Sequence, residues 1–302
     1  MTMPSEAPPL YQVHVFPPTP HCYNICPFAI KLESYCRINK LDYEPVYTSK
    51  FGHKGTIPYL KVGDAKEVCD SNVIVDYLRE RHETTDSKLT NEQRAVTHAM
   101  LRMLEEHTAQ IGFYYRYGLN MDEFFSVLDV ANRMFSADIA TKGAMIAAAF
   151  CRLMPAATLK KSKCRGLTRH SNEELWGFSN DDLNALSVLL GSQTYFFGTT
   201  PTLLDCTVFG HLVQFLYIPI DFPQKAYLKK ECINLVEFVE RFRETHWPDW
   251  EQKCEPVRNT KFLDDAAGGA AKRSTWKPLL PVAGAGVVLA ICYQMWFGSS
   301  RL

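Results

Sequence analysis

Ile25-Cys26-Pro27-Phe28-Ala29-Ile30-Lys31-Leu32 places a thiol one residue ahead of a proline that opens an amphipathic helix. Pro27 suits a first helical turn, because its missing N–H would find no intrahelical partner there and its fixed φ is already helical. Cys26 therefore falls at or beside the N-cap. Phe28, Leu32, Tyr35 and Cys36 recur at helical spacing, so the helix has an apolar face that can pack on a sheet. Free N–H groups and the helix dipole favour an anion at that end, which predicts a lowered thiol pKa and a nucleophilic thiolate. For an isolated Cys-Pro pair the plainer account is a small buried residue that starts a helix, so the flanking sequence decides.

Upstream, Tyr11-Gln12-Val13-His14-Val15-Phe16 alternates as a half-buried strand does, and a proline-rich loop from Pro17 to His21 leads into the helix. Downstream, Asp42 to Val46 reads as a second strand. Thr56-Ile57-Pro58-Tyr59-Leu60-Lys61-Val62 reads as a third that begins with X-Pro. Gly63-Asp64 turns the chain, Lys66 to Cys69 returns as a hairpin partner, and Asp70-Ser71 opens a helix carrying Ile74, Tyr77 and Leu78. The order is β-α-β-β-β-α.

After a polar linker from Glu83 to Thr90 the pattern becomes helical and stays so. Val96, Met100, Met103, His107 and Ile111 form one stripe, Ile139 to Met154 reads as an apolar core helix, and Asp182 to Leu190 as another. Pro201-Thr202-Leu203-Leu204-Asp205 has the capping-box spacing, and the helix it opens is apolar on most faces through Leu216, which predicts a central position. Glu231 to Arg243 reads as one more helix, closing on Trp247-Pro248-Asp249-Trp250. Glu106 and His107 are candidates to line a cleft between the halves.

Lys plus Arg equals Asp plus Glu at 33 each, so no net field recruits nucleic acid. The ten cysteines lack paired spacing and the first ten residues lack a signal-peptide pattern, which predicts reduced thiols facing the cytosol. Between Leu279 and Phe297 lie 19 uncharged residues. At about 1.5 Å per residue such a helix nearly matches a hydrocarbon core of about 30 Å. Trp276 and Trp296 stand near its ends, and Lys272, Arg273 and Lys277 precede it, which predicts one transmembrane tail anchor with the large N-terminal part on the cytosolic side.

An X-Pro strand start two strands after a Cys-Pro helix resembles the thioredoxin fold. With the helical second half and its Thr202/Asp205 capping box, the chain resembles the glutathione S-transferase superfamily over roughly residues 10–250. Cys26-Pro27-Phe28-Ala29 looks like the omega-class active-site motif. Lys31-Leu32-Glu33-Ser34-Tyr35, Gly55-Thr56-Ile57-Pro58-Tyr59, Met103-Leu104-Glu105-Glu106-His107, Asp182-Leu183-Asn184-Ala185-Leu186, the run Leu203 to Leu212 and Trp247-Pro248-Asp249-Trp250 are together similar to the failed axon connections (Fax) family, a relative of the metaxins.

The resemblance implies an α/β thioredoxin-like domain at residues 10–84 and an all-α domain at 91–250. Before and after them stand a disordered 1–9, a tether at 251–277 and a membrane helix at 278–298. It further implies a cis Ile57-Pro58 bond and glutathione as substrate or ligand, held along Ile57, Pro58, Asp70 and Ser71 with Lys54 at the glycyl end and attacked or exchanged at Cys26. The expected activity is weak Cys26-dependent thiol transfer. The alternative is a non-catalytic interaction or sorting protein, for axon development or assembly at the mitochondrial outer membrane, with partners met at the membrane and the endoplasmic reticulum as the other location. Two departures bear on the choice. The connection before Pro58 is too short for a full second helix, and Ala29 stands where a dithiol enzyme has its second cysteine. Cys22 and His21 lack a second ligand pair, so no metal is expected.

Overall fold

A computed structural model describes residues 11–63, 66–129 and 153–254. The first half is a four-stranded sheet in the order β2-β1-β3-β4, built from Tyr11–Val15 (β1), Tyr43–Tyr47 (β2), Tyr59–Val62 (β3) and Lys66–Cys69 (β4). β1 runs parallel to β2 and antiparallel to β3, and β3 and β4 form the hairpin. Helix α1 (Pro27–Ile38) joins β1 to β2, and α2 (Ser71–Arg79) follows β4. The thioredoxin-like order expected from the sequence is present, including the cis Ile57-Pro58 bond. β3 starts at Tyr59 rather than Thr56, because the ladder with β1 begins only at the His14–Tyr59 pair. Alternation along the strands puts Val13, Val15 and Leu60 on the buried face with the helices. Gln12, Lys61, Glu67 and Cys69 share the opposite face.

The second half is helical. Asn91–Met103 (α3) continues through a widened π turn at Leu104–Thr108, the short Ala109–Phe113 helix and a second π turn at Tyr114–Leu119. Helices at Met121–Val127, residues 153–164, Asn172–Leu190, Leu203–Leu216, Pro223–Glu231, Ile233–His246 and Trp250–Cys254 follow. Every residue of Leu203–Leu216 is buried, as its apolar run predicts. At its start the Asp205 carboxylate accepts from Thr202 N at 2.8 Å and Phe196 N at 2.9 Å.

Four expectations need correction. The helix read as Asp182 to Leu190 begins at Asn172, because Ser171 and Glu174 form a reciprocal capping box with bonds of 2.8 and 3.2 Å. The helix read as Glu231–Arg243 runs Ile233–His246, and Glu231 instead ends a separate helix that Pro223 opens, with Cys232 between the two. The supposed linker after Glu83 is clamped: Asp86 is buried in a tight turn, accepting from Leu203 N at 3.0 Å and Arg79 Nη2 at 2.9 Å. Residues 251–254 belong to the fold rather than to a tether, with Trp250 and Cys254 buried. The segments 1–9, 278–298 and nearly all of the 139–154 helix lie outside the described residues. Among the described residues no helix is long and apolar enough to cross a membrane.

The two halves meet chiefly where α1 lies against Leu203–Leu216. Gly210 makes that approach possible: a Cβ there would stand 2.6 Å from Pro27 O and 2.9 Å from Lys31 N, both backbone atoms that cannot swing aside. The far end of α1 is held by the tryptophan motif. Trp247 Nε1 donates to Ser34 Oγ at 2.9 Å, while Arg37 lies over the Trp247 ring and grips Asp249 through bonds of 2.7 and 2.9 Å. Gly210→Ala is therefore expected to destabilise the protein by about 1–3 kcal/mol in urea denaturation, from overpacking. Gly177→Ala, at an exposed helical position with nothing within 4 Å, is expected to be neutral or slightly stabilising.

Candidate functional site

Cys26 occupies the N-cap of α1 in extended conformation, ahead of Pro27 at the first helical position. Its N–H donates to Asn24 Oδ1 at 2.9 Å, and Asn24 in turn donates to Phe16 O at 2.7 Å, so the loop is pinned to the end of β1. The thiol faces the cis-proline segment, Sγ donating to Ile57 O at 3.6 Å. Cys26 and Ile57 thus converge as the sequence predicts. Their state differs from expectation. Cys26 and Ile57 are each only 8% exposed, and Pro58 is buried. Burial pushes the Cys26 thiol up to about 11, although the Ala29 and Phe28 N–H groups and the charges of Arg116 and Lys31 pull it down. The helix end acts on the sulfur in the predicted sense, but loss of water outweighs it, so the predicted thiolate is a protonated thiol near neutral pH.

The start of α2 is also engaged from within. Asp70 caps the helix, Oδ1 accepting from Asn72 N at 2.9 Å and Val73 N at 3.4 Å. Ser71 is buried, and its hydroxyl accepts from Lys31 Nζ at 3.3 Å. Lys31 also donates to Asn72 Oδ1 at 2.8 Å and pairs with Glu105 Oε1 at 2.6 Å. The other Glu105 oxygen accepts from Asn72 Nδ2 at 2.8 Å. Lys31 is fully buried and Glu105 3% exposed. The chain thus sets its own carboxylate beside the residues predicted to receive a ligand's. Lys54 is exposed in the β2–β3 connection, where its backbone N–H lies beside the Cys69 sulfur rather than Cys26.

Several site residues escaped the sequence reading. Glu105, not Glu106 or His107, faces the junction. Glu106 pairs with Arg165 at 3.1 Å and His107 with Asp182 at 2.7 Å. The signal was present in the spacing Leu101, Leu104, Glu105, Thr108, all buried. Arg116, 2% exposed, donates to Ile25 O at 2.9 Å and Gln214 Oε1 at 2.9 Å, while Gln214 Nε2 donates to Asn24 O at 2.9 Å. The helical half therefore grips the loop that carries Cys26. His211 is buried edge-on to Phe28, and burial lowers its pKa to about 4.

A raised thiol pKa means that the thiolate fraction of Cys26 keeps growing with pH up to about 11. At pH 8 iodoacetamide is expected to modify the exposed Cys164 well before Cys26, with Cys26 labelling accelerating only toward strongly alkaline pH in peptide mass spectrometry. Labelling of Cys26 at pH 7 as fast as Cys164 would show an accessible thiolate instead.

Two family models match the chain: "Glutathione S-transferase N-terminal domain" over residues 27–124 and "Glutathione S-transferase, C-terminal domain" over residues 179–242. Failed axon connections of Drosophila melanogaster is 32% identical, the alignment covering 83% of this chain and 64% of that protein, so the chain spans less than two thirds of that relative. Metaxin-3 of Danio rerio is 26% identical over 60% of this chain and 58% of its own length. Among solved structures, a glutathione-bound glutathione S-transferase from Methylobacillus flagellatus aligns with a TM-score of 0.50 at 14% identity, covering 78% of this chain and 98% of that one. The beta-etherase LigF from Sphingobium sp. aligns with a TM-score of 0.50 at 16% identity, covering 84% and 99%. These structural likenesses concern the fold alone. With both halves of the fold in place and its relatives of that kind, the chain belongs to the Fax and metaxin-like family of the glutathione S-transferase superfamily.

Proposed function

We propose that this protein is a non-catalytic interaction protein of the Fax and metaxin type, one that keeps the transferase frame and has closed its thiol site with its own side chains. The observation that carries the reading is the internal network at the start of α2, where Lys31, Ser71 and Asn72 are engaged by Glu105. A ligand carboxylate entering there would have to displace a buried ion pair, and separating such a pair costs about 3–5 kcal/mol. The Cys26 S–H, turned to Ile57 O in a dry environment, supports the same reading. Glutathione-dependent thiol transfer is the competing reading, favoured by the one feature it shares with the geometry: Cys26 at a helix N-cap opposite the cis-proline segment.

Attachment to a membrane completes the proposal. Its support is the uncharged run Leu279 to Phe297 with basic residues before it and tryptophans at both ends. The folded halves would face the cytosol, at the mitochondrial outer membrane in preference to the endoplasmic reticulum, since short, moderately apolar segments with basic flanks suit the former.

In a glutathione-coupled assay on a mixed-disulfide substrate, the full chain is expected to give no turnover above Cys26→Ser and no calorimetric glutathione binding. Turnover that depends on Cys26 would overturn the non-catalytic reading. For attachment, carbonate extraction of isolated organelles is expected to leave the full chain in the membrane pellet and release a version ending at Arg273; equal release of both would refute it.

A further inference from the structure

The face of the sheet turned away from α1 and α2 carries a cluster that the site above does not use. Glu67 and Cys69 are two apart on β4 and so point to the same side. The β2–β3 connection comes down onto them. Gly52 lies so close that a Cβ there would stand 2.5 Å from Cys69 Sγ and 2.8 Å from Glu67 Oε1, so any other residue would push these side chains from their places. The next residue, His53, is fixed twice to one carboxylate oxygen: its backbone N donates to Glu67 Oε1 at 2.6 Å and its Nδ1 lies 2.8 Å from the same atom. Cys69 Sγ is 3.4 Å from His53 Nδ1 and donates to Glu67 Oε1 at 3.1 Å.

We propose that His53, Glu67 and Cys69 form a zinc site that fastens the β2–β3 connection to the β3–β4 hairpin. The three donor atoms lie within 4.8 Å of one another. Zinc bonds of about 2.0–2.3 Å in tetrahedral array set ligand–ligand edges of about 3.4–3.6 Å. The observed separations of 3.4, 3.1 and 2.8 Å need only a small outward movement to reach those edges. The donor set selects the metal: imidazole, thiolate and carboxylate together suit zinc, whereas calcium and magnesium take oxygen alone. His53 is 56% exposed and Glu67 27%, so the ion has a route from solvent and water completes its fourth position. Zinc replaces the S–H proton of Cys69, which leaves to solvent, and takes neutral His53 through Nδ1. The ion supplies what this connection lacks, since it is too short for a helix of its own to hold it to the sheet.

The test uses the full chain, reduced and chelator-treated, titrated with Co²⁺ as the spectroscopic stand-in and then displaced by Zn²⁺. One equivalent of cobalt is expected to give thiolate-to-cobalt charge-transfer absorption with the strong visible bands of a four-coordinate ion, lost on adding zinc. Cys69→Ser should abolish the charge-transfer band. His53→Ala, a change at an exposed side chain that leaves the fold intact, should weaken zinc binding more than about tenfold and remove the zinc-dependent rise in melting temperature. Cys164→Ser should change neither readout. No charge-transfer band in the wild type, a band that survives Cys69→Ser, or one that disappears with Cys164→Ser would each overturn the proposal. Its outcome is independent of whether Cys26 is active.

Discussion

The ion pair between Lys31 and Glu105 is the interaction on which the rest of this structure depends. Both charges are out of water, so each carries a desolvation penalty that only its partner and close hydrogen bonds can offset. Burial alone would push the Glu105 carboxyl up, yet Lys31 and the neighbouring Asn72 amide hold it below the usual carboxylate range. A depressed acid contributes stability that is present above its unfolded pKa and lost as pH falls through the folded one. The pair comes from opposite halves, α1 and the π turn after α3, and Asn72 on α2 touches both members. A slip of one half against the other would leave a buried charge without a partner, which makes the docking orientation a single solution.

The other junction contacts are made in that same orientation. Gly210 admits the α1 backbone, Asp86 caps Leu203–Leu216 from the turn that connects the halves, and Arg37 with Trp247 and Asp249 closes the far end. Arg116 and Gln214 then reach across to the carbonyls of Ile25 and Asn24. The loop before Cys26 is therefore positioned by the helical half. A thiol fixed so firmly inside a junction gains precision and loses water, and the raised pKa of Cys26 reflects that exchange.

Much of this architecture was legible in the sequence, because local chemistry specifies it. Pro27 fixes where α1 starts, Thr202 and Asp205 mark the central helix, and alternation from Tyr11 onward gives β1. What was not legible depends on contacts between distant segments. The thiol pKa follows from how deeply Cys26 is buried, which no spacing rule records. Glu105 was passed over for Glu106 and His107 although it lies on the buried stripe Leu101, Leu104, Glu105, Thr108, because a carboxylate on a buried stripe is explained only by its partner Lys31, 74 positions away. Asp86 read as part of a polar linker although it is a buried clamp, since a carboxylate that caps a helix 117 positions later has no local signature. His53, Glu67 and Cys69 were invisible as a group for the same reason: a loop residue meets a strand only after the hairpin has formed.

These observations place chemistry on two faces of one sheet with opposite fates. Toward α1 and α2, the helical half has covered the thiol and the start of α2, and the residues expected to meet a ligand are engaged inside the chain: Cys26 with Ile57, Ser71 with Lys31, and Asn72 with Lys31 and Glu105. That side of the sheet is the buried joint between the two halves. On the other face no helix stands between β2 and β3, and the short connection is drawn down by Gly52 and His53 onto Glu67 and Cys69 while the His53 ring stays largely in water. On this outer face the exposed His53 and half-buried Glu67 meet the buried Cys69 sulfur. Cys26 lies inside the joint between the halves, whereas Cys69, itself only 1% exposed, stands beneath a His53 ring that is 56% exposed.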